Sequence, residues 1–373
     1  MVDLEVEFDR VFSKYGGSLK LKRPDAPAVQ NIINDLDIII KTIQEPQSLP
    51  VPYIGIIDSY DVNAIVMKDN GIYFIGLFNG AILWIHEIFR ILLSCPNVLP
   101  EIGESHNEQL AEKIMTAQFI NLEHYVNVTQ PKSIAMPKDP IRIDVANHFA
   151  SNIIVFLLLH EYGHIVNGHV DALNSLYQNQ AFEEKLTNAE MNCLQKNNAD
   201  YIMFRQTCEY DADAWATNIL LQFVNHRVEG TAMVTPSLNF IYSDYKSAIY
   251  YYSFSINTYW KLFGLEYEFG KNLLENTHPP SGMRQHFIMA LITTVFQRFG
   301  IDYADDIGFQ CAKSSMAVEK AFQEISNGGY NPIGIATTYQ GDHLTHSREI
   351  RNNWKNVRPL LEPFAYVKLA HII

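Results

Sequence analysis

The chain reads as an α+β protein, mainly helical, with a small antiparallel sheet in its first third and one long buried helix near its middle. Three observations carry this. Residues 63–78 hold two β-rich runs, Asn63-Ala-Ile-Val-Met-Lys and Ile72-Tyr-Phe-Ile-Gly-Leu-Phe, joined at Asp69-Asn70-Gly71, which is the signature of a tight hairpin. An apolar run over 153–159 leads into His160-Glu161-Tyr162-Gly163-His164 with no proline between, which predicts one mostly buried helix over 141–166. Most of the remaining apolar pattern has helical rather than alternating spacing.

The elements follow in order. Val6, Phe8, Val11 and Phe12 are spaced for a helix, Pro24 and Pro27 break the chain, and residues 29–43 resume the helix until Pro46 and Pro50 close it. A short strand at 53–57 precedes the hairpin. Residues 80–95 are predicted as an amphipathic helix, and 104–127 as another that opens at Ser105 with Glu108 three residues on, a capping-box pattern. Residues 131–140 read as loop. Asn167-Gly168 ends the long helix, and the polar, Asn/Gln-rich stretch 171–198 reads as a surface excursion. Helices are expected at 206–226, 238–263 and 285–299, then two more after Gly300, followed by a Gly/Asn/Thr-rich loop at 327–342 and a C-terminal tail.

Composition narrows the function classes. Of 373 residues, 47% are hydrophobic, 12% aromatic and only 18% charged, against about 25% in a typical domain, so much of the chain is buried. A net charge of −13 and a pI near 5.4 disfavour nucleic acid or an anionic membrane as the partner. The two most apolar stretches, 72–95 and 151–160, are respectively interrupted by Asn79, His86, Glu87 and Arg90, and too short, so no membrane span is expected. The acidic start, Met1-Val-Asp-Leu-Glu, lacks the features of a secretory leader. Cys95, Cys193, Cys208 and Cys311 show no paired spacing and read as reduced thiols. The expectation is a cytoplasmic protein.

The chemistry concentrates on the long helix. Residues four apart share a helix face, so His160 and His164 present two imidazoles on one side, a two-point clamp for zinc. Glu161 lies about 100° round the axis, near enough to act on water at the metal as a general base without being a ligand. Two imidazoles and a carboxylate inside an apolar helix each need a partner, and a metal serves all three. Catalytic zinc takes three protein ligands, so a third is expected downstream; Glu209 answers, at the opening of the 206–226 helix, with Asp213 one turn on. Asp213 is placed to accept from the distal nitrogen of a ligand histidine. His169, five residues past His164, lies off the ligand face and is not assigned. His86, His106, His124, His148, His343 and His346 lack a partnered spacing and read as ordinary surface or core histidines.

His160-Glu161-Tyr162-Gly163-His164 followed by Glu209-Tyr-Asp-Ala-Asp213, with the Asn63-Ala64 hairpin upstream and His278-Pro279…Arg284 downstream, resembles the HtpX and CAAX-prenyl-protease branch of the gluzincins over residues 60–300. That resemblance implies a zincin-like metallopeptidase fold with an active-site helix. Zn2+ would be held by His160, His164 and Glu209, with Glu161 as the base and Asp213 and Arg284 bracing the ligands. His278 would steady the oxyanion, and an edge strand beginning at Asn63 and Ala64 would bind an extended protein or peptide substrate by strand addition. The membrane helices of that branch are absent, and the spacing from hairpin to His160 is long. The chain is also similar to the phage-exclusion protease Lit, a soluble protein with the same zinc motif that acts on a translation factor; that substrate is not carried over. Residues 1–50 then form a helical N-terminal extension, 51–300 the peptidase core and 301–373 a helical C-terminal extension. The expected function is zinc-dependent cleavage of an intracellular protein. A zinc-stabilised, non-catalytic binding or regulatory protein and a single-target phage-defence protease stand as alternatives, and the spacing leaves zinc against another divalent ion open.

Overall fold

The computed structural model describes residues 3–23, 27–44, 48–109, 136–177, 181–183, 199–264, 273–274, 276–298, 304–326 and 340–371. Helix α1 (Leu4–Val11) is capped by the Asp3 carboxylate, which accepts from the Glu5 amide, and it buries Phe8. Helices α2 (Leu19–Lys22) and α3 (Pro27–Gln44) lead to strands β1 (Tyr53–Ile57), β2 (Ala64–Asp69) and β3 (Ile72–Phe78). The turn between β2 and β3 puts Asn70 at φ 46° and Gly71 at φ 81°. Two successive positive φ values define the type I′ turn, which matches the twist of the flanking strands and which Asn-Gly adopts with least strain.

The sheet departs from the antiparallel one expected. Strand β2 pairs antiparallel with β3, but β1 runs parallel to β3, from Tyr53 opposite Phe74 to Ile57 opposite Phe78, so the sheet is mixed, in the order β1-β3-β2-β4. The cause is burial. Strand β3 is apolar on both faces and takes the interior position, where neighbours cover both edges. The link from β1 to β2 passes over its end, where Ser59 O accepts from Gly80 N and Asn63 O from Phe78 N. Phe8 and Phe12 cover one face, against Ile57, Ile65, Phe74 and Phe78. The other face, with Ile54, Ile56, Val66, Ile75 and Leu77, joins the main helical core.

Helix α4 (Asn79–Leu93) and helix α5 (Pro140–Val166) form the centre of that core. Asp139 caps α5 by accepting from the Arg142 amide, and Pro140 occupies its first turn, where a missing amide hydrogen costs nothing. By length and apolar content α5 would pass as a membrane span, yet 67% of that window is buried inside the protein, against α4, the sheet and the later helices. Arg142 is fully buried. Its guanidinium donates to the carbonyls of Leu93, Cys95, Val98, Leu99 and Ile102, closing the end of α4 and the following loop onto α5.

Four further expectations change. Ser105–Asn107 is a single 3-10 turn, and the Glu108 carboxylate accepts from the amides of Lys138 and Asp139 rather than completing a capping box on Ser105; the rest of the helix expected to 127 lies outside the described residues. Residues placed in a surface excursion form helix α6 (His169–Tyr177), which buries His169, Val170, Ala172 and Leu173, and strand β4 (Ala181–Glu183), which pairs antiparallel with β2 at residues 65–67. Helix α7 (Ala199–Val228) starts earlier than expected, so Glu209 lies well inside it and not in a solvated first turn. Tyr201, Ile202 and Phe204 pull the extra turns into the core. Helices α8 (Tyr245–Gly264), α9 (Ser281–Arg298), α10 (Ala304–Ile325) and α11 (Gly341–Leu361) complete the described fold. Where two helices were expected between Gly300 and residue 327 there is one among the described residues, α10, and α11 stands where a C-terminal tail was expected, held by burial of Ile350, Trp354, Val357 and Leu361.

Candidate metal centre

Helices α5 and α7 pack side by side, and the two polar stretches meet where they cross. His160 and His164 point the same way from successive turns of α5, with their Nε2 atoms 3.1 Å apart. From α7, Glu209 brings Oε2 to 3.1 Å from His160 Nε2 and Oε1 to 3.6 Å from His164 Nε2. All three side chains are buried, and their donor atoms lie within 4.8 Å of one another; among the described residues this is the one group of three that can hold a metal ion. Burial drives the His164 imidazole well below its ordinary pKa, overriding the opposite pull of Glu209. Burial pushes the Glu209 carboxyl up, but the imidazoles of His278, His164 and His160 outweigh it and hold the group well below the usual carboxylate range. Lone pairs on the imidazoles and an ionised carboxylate are what a cation requires.

The surrounding shell is built from charged groups in fixed geometry. His160 Nδ1 lies 3.0 Å from Asp213 Oδ1. Arg284 grips Asp213 with two nitrogens, Nε donating to Oδ2 and Nη2 to Oδ1, each at 2.8 Å, while Nη2 also lies 3.8 Å from Glu209 Oε2. Burial raises the Asp213 carboxyl; Arg284, then His160, bring it back below its ordinary value. The Arg284 guanidinium sits 4.0 Å over the Trp260 ring, so the brace is itself stacked in place. His278 carries Nε2 to 3.2 Å from Glu209 Oε1 and retains 14% side-chain exposure, against 1% for Glu209. It is the side of the cluster nearest solvent. Glu161, the next residue after His160, is buried at 1%.

The structure thus gathers His160, His164, Glu209, Asp213, His278 and Arg284 around one point. Asn63 and Ala64 lie at the start of β2: Asn63 Oδ1 accepts from the Ala64 amide, and Ala64 pairs with Leu77. The outer edge of β2 just beyond them is occupied by β4. Cys208 is a buried core thiol, pushed well above its ordinary pKa by burial and so lacking thiolate character.

Spacing along the chain passes over a second group. His169 Nδ1 lies 2.9 Å from His164 Nδ1, and His169 Nε2 lies 3.2 Å from Asp211 Oδ2, which also accepts from Asn167 Nδ2 at 2.5 Å. His169 returns to the cluster because Gly168, at φ 80°, reverses the chain between α5 and α6; a Cβ there would come within 2.7 Å of the Phe364 and Ala365 backbone. The available signal was the Asn-Gly terminator itself, which turns the chain back toward the residues it has just passed.

No curated protein and no solved structure matches the chain. The Peptidase U49 family, a Lit-like peptidase family, matches residues 104–294, just over half of the chain and a stretch that takes in both polar helices, His278 and Arg284. With every residue of the cluster inside the matched stretch, the chain belongs to the Peptidase U49 family.

Proposed function

We propose that the chain is a zinc-dependent endopeptidase that cleaves a protein inside the cell, with Glu161 as its general base. The observation that carries this is the buried His160, His164 and Glu209 group. A tetrahedral zinc with Zn–N near 2.0–2.1 Å needs ligand atoms about 3.3 Å apart. His160 Nε2 lies 3.1 Å from both His164 Nε2 and Glu209 Oε2, close to that spacing, and one donor atom from each of the three side chains lies within 4.8 Å of the others. His, His and Glu is also a donor set that leaves a coordination position free, whereas a purely structural zinc site is closed by four protein ligands. That favours an enzyme over a zinc-stabilised binding protein.

When bound, zinc supplies Lewis acidity, polarising a peptide carbonyl and lowering the pKa of water toward about 7. The remaining steps belong to side chains of this protein. Glu161 takes a proton from the attacking water and delivers it to the leaving amine, so that water and one peptide bond become a carboxyl and an amino terminus. His278, on the solvent side of Glu209, donates to the carbonyl oxygen as negative charge gathers there. Asp213 holds the His160 ring by its Nδ1, and Arg284 holds Asp213. Among the described residues, Cys95, Cys208 and Cys311 are buried and free of disulfides, which suits a reducing compartment.

Glu161→Gln separates base from ligand. The variant should keep zinc and its fold and lose cleavage by roughly 10²–10⁴-fold, measured by scanning a lysate for bands that the parent removes. Cleavage at the parental rate would remove Glu161 from the reaction. One band lost from the lysate, with unfolded casein untouched, identifies a single-target protease; broad casein degradation identifies a general one.

A further inference from the structure

We propose that His169 is a positioning residue, fixing the proton and the ring plane of His164 through a relay that ends on Asp211, so that His164 offers Nε2 to the metal and nothing else. This rests on the metal reading above. The hydrogen bonds admit one consistent proton assignment. If His164 gives its Nε2 lone pair to a cation, its proton is on Nδ1. That Nδ1–H faces His169 Nδ1 at 2.9 Å, which must then accept. The His169 proton is therefore on Nε2, where it points at Asp211 Oδ2, 3.2 Å away. Asp211 is held in turn by Asn167 Nδ2, which donates to the same oxygen. Each donor meets an acceptor, and the chain ends on a carboxylate.

The arrangement mirrors the one on the other ligand with a different length. His160 reaches a carboxylate directly, at Asp213, whereas His164 reaches one through an inserted imidazole. The two carboxylates come from one helix, on opposite sides of it: Asp211 is two residues from both Glu209 and Asp213, a displacement of about 200°. Both members of the relay are buried, His169 at 0% and Asp211 at 8%, as is Asn167 at 3%. His169 is not a fourth ligand, since one ring nitrogen faces His164 Nδ1 and the other Asp211. A carboxylate acting through an imidazole draws the Nδ1 proton of His164 away from the ring and so strengthens Nε2 as a donor, the effect for which ligand histidines keep such partners.

The test is zinc affinity of the full-length chain, stripped of metal and titrated against a chromophoric chelator, alongside the melting temperature of the metal-free protein. His169→Phe, which removes the acceptor but keeps a flat ring, should weaken zinc by roughly 10–100-fold, and Asp211→Asn by about tenfold. His169→Gln, whose amide oxygen can still accept from His164, should stay within a few-fold of the parent. Should His169→Phe fail to fold, Asp211→Asn and His169→Gln decide. A merely structural role would lower the metal-free melting temperature and leave zinc affinity where it was; that result, or parental affinity in His169→Phe, overturns the relay. A parent that takes up no zinc overturns the metal reading beneath it, while a parent that holds zinc and variants that hold it equally well overturn the relay alone.

Discussion

Within α5, ahead of the metal cluster, His148 Nε2 lies 2.8 Å from the Tyr242 hydroxyl, and Asn152 Nδ2 approaches the same nitrogen at 3.3 Å. The Tyr242 hydroxyl is already an acceptor, taking a hydrogen bond from Arg227, so it turns its own proton toward His148. A protonated His148 would present a hydrogen to both neighbours and a second cation to Arg227. Burial first, then Arg227, push its pKa down from 6.5 to about 3. The unfolded chain takes up this proton below about pH 6.5 and the folded one does not until about pH 3, so folding stability falls as pH drops through that window. At pH 5 the loss reaches at most about 2 kcal/mol. His148→Gln, which still accepts from Tyr242, should lose less stability than the parent between pH 7 and pH 5 in urea titrations; identical losses would show that His148 contributes nothing to acid sensitivity.

At the scale of elements, a buried arginine performs a clasp. Arg142 carries five hydrogen bonds from α5 to the end of α4 and its loop, and Glu108 lies 3.9 Å from it while holding the amides before α5. Arg142→Met keeps the stem and removes every donor, leaving buried carbonyls and the Glu108 carboxylate without it. The expected cost is about 3–5 kcal/mol, read as a lower urea midpoint; a loss under about 1 kcal/mol would mean that water replaces the guanidinium. Elements set by local chemistry were legible from the amino-acid order. The Asn70-Gly71 turn dictates its own hairpin, and the run into His160 dictates a buried helix. Pairing order was not legible, because β1 chooses β3 over β2 through packing of a strand apolar on both faces. The site divides along the same line. Periodicity of four brings His160 to His164 and Glu209 to Asp213. Asp211 shares neither face and His169 lies past a helix break, so only the crossing of α5 and α7 and the turn at Gly168 bring them in. Helix α6 hid behind a polar composition that suits its exposed side, although Val170, Ala172 and Leu173 face inward.

Across the whole molecule, one core runs from Leu19 through the sheet and central helices to Leu369, and the polar cluster sits inside it. The C-terminal helix α11 takes part: His346 Nε2 lies 2.6 Å from Gln206 Oε1 on α7, one turn before Glu209. Tyr366 donates its amide to Val166 O at the end of α5, beside the turn that returns His169. The groups that would hold the metal are thus fixed by elements drawn from much of the chain, in a setting where leaving two imidazoles and a carboxylate without a shared partner is costly. The most direct test is the zinc content of the purified full-length chain beside His160→Ala and Glu209→Ala. About one zinc per chain in the parent, lost in both variants, is the predicted result. A parent without metal, or full zinc retention after Glu209→Ala, would contradict the three-ligand centre and return Glu209 to a purely structural role.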